Sequence, residues 1–511
     1  MDAAETSPIK SGSAPLDGTG VPPAADRRRW IGLYVLCVGM LMIVLDVTVV
    51  NVALPSIERD LRFSQSSLAW VVNAYLITFG GLLLLAGRFG DLLGHRRVFL
   101  AGLGLFTIAS ALCGVAQTQT MLIAARFLQG LGGAMTSAVI LGMIVTMFPE
   151  PAEQAKAIGV YGFVASAGGS IGLLAGGVLT QSINWHWIFF INLPIGIATG
   201  LAALRLLDEA PRRESTARAD VPGALLLIGA LILGVYTIVA PATQDGWGSS
   251  RTLGFGVGAL CLLALFVLRE ATAAQPLIPL RVLRSRNLAA ANLIQALLVA
   301  GMFGMFFMGA LYLQRVLGYD ALHVGLAFLP TTLVMGTMSL RYSNRLVARF
   351  GARATLLGGM IPVAVGLALF SRTPVRGAYA ADVLPAMLLL GAGVGAAFPA
   401  LMTLAMAGAP REDAGLASGL VNTTAQVGGA LGLAVLATIS AGHTRALTHQ
   451  GVAQAAALTG GYHAAFLVST GLVLAAIAVL AAVVPRPTGV VAKLPKHRTE
   501  VSPGVACAET D

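Results

Sequence analysis

The stretch "IVLDVTVVNVALP" occupies residues 43–55, and one letter in it is out of place. Asp46 is the sole charged residue between Arg29 and Glu58, a run long enough to cross a bilayer as a helix. A carboxylate inside such a run is costly, so it is paired, lines a water-filled cavity, or carries a proton. The plainer alternative is a static, hydrogen-bonded acid that holds helices together.

The rest of the chain repeats the pattern around this acid. Of 511 residues, 56% are hydrophobic and only 11% charged, with a mean hydropathy of +0.81. A soluble protein of this length needs more charge to cover its surface, whereas apolar runs of about 20 residues explain the deficit. Alternating ten-residue strands of a membrane barrel are absent. Helices are expected near 30–52, 68–87, 97–116, 121–143, 156–178 and 185–206, then 222–240 and 252–269. Six more are expected near 288–313, 323–341, 354–370, 382–407, 416–440 and 463–484. The reading is an all-α membrane protein with 14 transmembrane helices.

An even number of spans puts both termini on one side. The tails and the loops on their side carry 25 of the 33 Lys and Arg, the opposite loops 7, and Arg126 alone lies within a span. By the positive-inside rule both tails are therefore expected in the cytoplasm. The same rule accounts for the net charge of +10, so nucleic acid is not an expected partner. Residues 1–29 and 486–511 read as disordered cytoplasmic tails, the former without the apolar core of a cleaved signal. Cys37, Cys113 and Cys261 lie in apolar runs and Cys507 in a polar tail, with neither disulfide nor metal-ligand spacing. No HExxH site or GxxxxGK[ST] loop is present, so a membrane-embedded enzyme or an ATP-driven pump is disfavoured.

There is a trace of internal repetition. "GRFGDLLGHRRVFL" (87–100) follows the second span and "NRLVARFGARATLL" (344–357) the tenth, each placing a glycine and basic residues in a short turn. Six helices before the central pair then match six after it, an arrangement used by transporters with a site at the bundle interface. The expected divisions are a bundle at 30–207, an inserted pair with linkers at 208–287, and a second bundle at 288–485.

Several stretches resemble a known family in the correct order. "GRFGDLLGHRR" is similar to the cytoplasmic loop motif of the major facilitator superfamily, through Gly87, Asp91, Gly94, Arg96 and Arg97. "LDVTVVNVALP" (45–55), "WVVNAYLI" (70–77), "RFLQGLGGA" (126–134), "WHWIFFINLPIG" (185–196) and "ASGLVNTTAQVGGALGLAVL" (417–436) resemble motifs of its fourteen-span drug:proton antiporters. The resemblance implies a major facilitator fold of two six-helix bundles plus two inserted helices. It implies a plasma-membrane exporter of small lipophilic substrates, needing no cofactor beyond a proton gradient. It also implies a latch at the loop motif, where Asp91 is expected to accept from Arg96, Arg97 or a helix N-terminus.

Asp46 and Arg126 lie at similar depth, roughly 8–10 Å below the outer surface at ~1.5 Å per residue, so a charge pair between them is possible. The resemblance likewise implicates Arg126 in proton coupling, and a purely structural pair is the alternative. In the fifth span, Gly168, Gly172, Gly176 and Gly177 form the small-residue pattern of the antiporter motif. That motif normally has a proline after Gly172, where this chain has Leu173. Substrate contacts are expected from polar and aromatic groups in the spans: Asn51, Asn73, Tyr75, Gln129, Asn292, Gln295, Phe303, Phe307, Asn422 and Gln426. Asn422 and Gln426, four apart, are expected to share a face.

The function so read is proton-coupled export of lipophilic, cationic drugs or antibiotics by a monomer of bacterial origin. The alternative is a dedicated exporter of one metabolite, such as a self-made antibiotic or a siderophore.

Overall fold

The computed structural model describes residues 23–207, 219–278, 285–407 and 414–484. The expected tails, apart from 23–29, lie outside the described residues, as does Cys507. Fourteen helices are long and apolar enough to span a membrane. They are α1 (Arg27–Leu61), α2 (Ala69–Leu93), α3 (His95–Gly114), α4 (Gln119–Met147), α5 (Lys156–Ser182), α6 (Trp187–Leu206) and α7 (Val221–Val239). The remainder are α8 (Ser250–Thr272), α9 (Arg286–Arg315), α10 (Ala321–Phe350), α11 (Ala352–Phe370), α12 (Tyr379–Ala407), α13 (Leu416–His449) and α14 (Gln454–Val483). The face from which α1 starts is termed inner below, following the expected topology.

All fourteen expected spans are present, but several run past their apolar windows. The first helix already begins at Pro23, and it continues through Pro55 to Leu61. α13 ends at His449 rather than near 440. Hydropathy marks only the part in hydrocarbon, whereas hydrogen bonding along the backbone carries the helix on into water. Starts are better marked. Thr118, Asp220, Ser249, Ser285 and Asp320 each accept from the backbone N–H three residues on, as N-caps do.

The repeat is visible in backbone geometry. Gly94 and Gly351, the glycines of the two matching turns, have φ of +99° and +82° and each precedes the next helix. A side chain at either position would be strained. In one half α3 crosses α4 where a Cβ on Gly132 would stand 2.8 Å from Gly102 O; in the other, α11 crosses α12 where one on Gly359 would stand 2.7 Å from Gly393 O. In a bilayer, where apolar side chains gain nothing from leaving lipid for one another, such close approach is the main source of helix adhesion. Departures from α geometry in the second half set it apart: α10 widens into a π-helical segment at Met338–Ser343, and α12 opens on another at Tyr379–Val383.

The halves meet along α2 and α13, where Gly80 lies against Gln426 and Gly419 against Leu84, and through a set of contacts at the outer ends. Arg315 on α9 pairs with Glu58 on α1, and Gln314 Nε2 donates to Val52 O at 2.9 Å. Gln65 reaches Ser440 at 3.2 Å. Gly177 on α5 lies against Ala321 and Leu322 on α10, and Gly325 on α10 against the carbonyl of Leu173.

The inserted pair α7–α8 packs on itself, and α7 also meets α2 and α13. Its inner corner holds a charged cluster that the sequence reading assigned to a linker. Asp220, buried, accepts from Arg269 Nε at 3.1 Å and from the Gly223 N–H at 3.2 Å. Glu270, also buried, accepts from the Ile278 N–H at 2.8 Å. This holds the segment after α8 so that Leu277 and Ile278 pack with Ala224 against Leu82, Leu85 and Phe89 of α2.

Candidate functional site

The site is built by four helices meeting around Asp46. α5 meets this stretch of α1 through its glycines. Cβ atoms on Gly168 and Gly176 would lie 3.0 Å from Leu41 and Val49, and one on Gly172 would collide with Thr48 Oγ1. α1 and α5 therefore pack backbone to backbone, and the acid is left to α3, α4 and α6.

Arg126 on α4 donates from NH1 to Asp46 Oδ2 at 2.5 Å, and neither side chain is more than 1% exposed. The expected contact between them thus forms. The guanidinium is fixed from further sides as well. Its Nε donates to Val71 O at 2.9 Å, NH1 to Gln129 Oε1 at 2.7 Å, and its carbon lies 4.5 Å from the Tyr75 ring centre. A cation over an aromatic face in a dry site is held by the ring quadrupole. Gln129 Nε2 then donates to Asp46 Oδ1 at 2.6 Å and to Ser110 Oγ at 2.7 Å. Asn192 Nδ2 donates to the same two oxygens at 3.3 and 3.2 Å, and Cys113 Sγ lies 3.6 Å from Gln129 Oε1.

Each charge is therefore compensated in place. Asp46 is met on both oxygens by N–H donors, the arrangement that suits an ionised carboxylate. Removing two charges from water is repaid only when geometry is good and the remaining lone pairs are satisfied. Sequence reasoning found Asp46, Arg126, Gln129 and Tyr75 but missed Ser110, Cys113 and Asn192 as members. Asn192 carried a signal, an amide in an apolar span directly before "LP". Ser110 and Cys113 carried none, since small polar residues are common in such helices.

Above the network an outer pocket of about 510 Å³ is lined by Asp60, Gly114, His186 and Phe190 among others. His186 Nδ1 bonds Gly114 O at 2.9 Å, and Trp185 Nε1 donates to Asp60 at 2.8 Å. A larger vestibule of about 1010 Å³ surrounds Glu58 and Arg315 between the halves.

The other expected contacts are scattered. Asn292 Nδ2 donates to Leu288 O at 2.8 Å while its Oδ1 accepts from Thr424 at 2.9 Å. Gln295 is buried with Oε1 unpaired among the described residues, and Gln426 lies against Gly80. Phe303 faces Gly429, which a Cβ would bring to 3.0 Å from the ring. Phe307 is 1% exposed in the apolar core. Asn73 is fully buried with both amide atoms unpaired among the described residues, and Asn51 donates to Val47 O at 3.1 Å. Asn422 is exposed and bonds Ser418 O at 3.0 Å, while Gln426, four residues on, is half-buried against α2.

At the loop motif, Asp91 stands 3.7 Å from His95, a partner not anticipated. Arg96 turns instead to Leu204 O at 2.6 Å, at the inner end of α6, and Arg97, exposed beside it, is engaged too. Gly87 has open space where a Cβ would stand, so the turn at Gly94 is the glycine that geometry requires. Among the described residues no group of three His, Cys, Asp or Glu side chains is placed to hold a metal ion.

Comparison with known proteins agrees with this architecture. The bacterial homologue of the human lysosomal transporter Spinster, in its inward-facing and occupied conformation, superposes with a TM-score of 0.62 at 16% identity, covering 88% of this chain and 95% of that one. The puromycin resistance protein pur8 of Streptomyces alboniger is 40% identical over 457 residues, 88% of this chain and 90% of that one. The cephamycin export protein CmcT of Amycolatopsis lactamdurans is 37% identical over 473 residues, 91% and 96% of the respective chains. The family model for the Major Facilitator Superfamily matches residues 36–433. With fourteen membrane-spanning helices, two matching six-helix halves and that match across most of its length, the chain belongs to the major facilitator superfamily.

Proposed function

We propose that this protein is a proton-coupled antiporter that exports lipophilic, cationic drugs or antibiotics by alternating access. It works as a monomer in the plasma membrane of a bacterium, with both termini cytoplasmic, and as a transporter rather than an enzyme. The proton gradient serves in place of any cofactor. The observation that carries the reading is the dry Asp46–Arg126 pair, in a chain whose relatives are named for antibiotic resistance and export. Asp46 binds either a proton or the influence of a cation, and exchanging one for the other couples the two flows. Each elementary charge moved inward supplies ~2.3 kcal/mol per 100 mV, enough to drive extrusion uphill.

The halves, at 30–207 and 288–485, rock about this site. The outer contacts, Glu58 with Arg315 above all, part as the outer side opens, while the loop motif of Gly87, Asp91, Gly94, Arg96 and Arg97 latches the inner side. Gly168, Gly172 and Gly176 let α5 follow α1, and Gly177 meets the opposite half. Leu173, in place of a proline, leaves α5 unbroken from Pro151 to Ser182. Asn292, Gln295, Phe303 and Gln426 offer polar and aromatic contacts for substrate along α9 and α13.

A second reading is favoured by the names of these two relatives, each of which specifies one compound. It makes the protein a dedicated exporter of a single metabolite. Everted vesicles carrying the parent or Asp46→Asn, given a pH gradient and a panel of fluorescent lipophilic cations, test both. Gradient-driven uptake of several cations by the parent, abolished in the variant at equal protein level, is expected. Equal uptake by the variant would make Asp46 structural. Uptake of one compound alone selects the dedicated exporter.

A further inference from the structure

Asn192 uses its amide on one side only. It begins the longer segment of α6, after a one-turn helix at Trp187–Phe190 and an interruption at Ile191, and it is fully buried. Nδ2 faces Asp46 Oδ1 and Ser110 Oγ, whereas Oδ1 has no hydrogen-bond partner among the described residues. A buried carbonyl oxygen left unpaired is costly. The carboxylate nevertheless dictates this orientation, because an ionised acid only accepts.

The difficulty arises when Asp46 is neutral. Its oxygens are faced by donors from Arg126, Gln129 and Asn192, so an added O–H would meet no acceptor. Arg126 cannot provide one. Gln129 is committed at both ends, with Oε1 accepting from Arg126 and Nε2 donating to Asp46 and Ser110. Asn192 alone among these partners holds an idle acceptor next to the acid.

We propose that Asn192 is a proton-responsive positioning residue whose amide turns over when Asp46 is protonated, which rests on the reading of Asp46 as the proton carrier. With Asp46 ionised, Nδ2 donates. When Asp46 Oδ1 binds a proton from water, the amide rotates about 180° so that Oδ1 accepts from the new O–H and from the Ser110 hydroxyl. No covalent bond in Asn192 forms or breaks; the proton stays on the carboxyl oxygen and leaves from it. Ser110 oxygen still accepts from Gln129, and only its hydrogen swings toward Asn192. The other charged or ionisable side chains facing this site are Arg126 from α4, Tyr75 from α2 and Cys113 from α3, while α5 presents glycines. His186 and Asp60 belong to the pocket above.

Infrared difference spectra of the full chain in lipid, titrated in pH, test this directly. Asp46→Asn identifies the carboxylic C=O band. In the parent that band is expected at lowered frequency, because the O–H donates. Asn192→Val, which neither donates nor accepts, is expected to raise the frequency and to move the titration midpoint by less than about one pH unit, since a bond is lost in both protonation states. Asn192→Ser, able to do both, is expected to return the band toward its parental position. A band unmoved in Asn192→Val, or a midpoint raised by more than about one unit with the band unmoved, would show a residue that only donates and would overturn the proposal. Ser110→Ala gives the same reading with a smaller upward shift, and covers the case where Asn192→Val does not fold. If the parent has no Asp46-dependent band at all, the proton-carrier reading itself fails, and this inference with it.

Discussion

Among the described residues two buried aspartates pair with an arginine, and the two pairs are built differently. At Asp46–Arg126 both partners are sealed, with 0% and 1% of their side chains exposed. At Asp220–Arg269 the acid is 2% exposed but the arginine 44%, so one charge keeps its water. The first pair joins α1 to α4 within a transport half. The second joins the ends of two neighbouring helices in the inserted hairpin, caps α7, and sits beside the strap that Glu270 ties to Ile278. The difference separates a pair sealed from water on both sides from one whose cation water screens. Burial of an acid is thus a weak guide to function until the exposure of its partner is known.

Stability measurements can break this contrast. Arg126→Gln strands a carboxylate in a dry site, and losing one partner of a buried pair costs about 3–5 kcal/mol. Arg269→Gln leaves Asp220 its backbone donor and nearby water, and about 1 kcal/mol is expected. Thermal unfolding of the purified variants in one detergent should show the first far below the second. Equal losses would mean that Arg126 is solvated in the membrane and that the two clusters are alike.

Transport sharpens it further. Asp220→Asn retains a side-chain oxygen for the Gly223 N–H, so gradient-driven uptake within about twofold of the parent is expected, with a modest loss of stability. A loss comparable to that of Asp46→Asn would bring the inserted pair into the coupling mechanism.

A third acid, half-buried, gives a local effect confined to one helix end. Asp320 caps α10, and the backbone N–H of His323, 2.8 Å away, is the leading cause of a carboxyl held below its ordinary value. Its stabilisation is therefore full above the unfolded carboxylate value near ~4 and is lost as pH falls through the lower folded value. Asp320→Ala should cost about 1 kcal/mol at neutral pH, and the gap should close on acidification. A gap that persists at low pH would place the effect in packing rather than charge.

Much of this was legible in the sequence. The fourteen spans follow from apolar length, and the Asp46–Arg126 contact follows from two charges at one depth. What stayed hidden depends on rotation about helix axes. Asn422 and Gln426 lie four apart on one helix, yet the first is exposed and the second half-buried against Gly80, a difference that spacing does not record. Ser110 joined the site because α3 happens to turn it toward α6, which no local pattern records. Asp220 and Glu270 stood at the edge of apolar windows, where the sequence places water and the structure places the end of α2.

Arg126 has a consequence beyond its bond to the acid. Val71 O, Gln129 and the Tyr75 ring would keep the guanidinium where it is even when Asp46 is neutral. On the proposed reading, protonation would then change the charge of the site, from zero to a full positive one, with the guanidinium in place and only the Asn192 amide turned. A cation about 8 Å away, at an effective dielectric of about 20, would feel roughly 2 kcal/mol of new repulsion, a bias of about 30-fold in occupancy. On the proposed function, such an interlock would make proton and cargo mutually exclusive tenants without any contact between them. Compounds too large to touch Asp46, provided they carry positive charge, would still be counted by it.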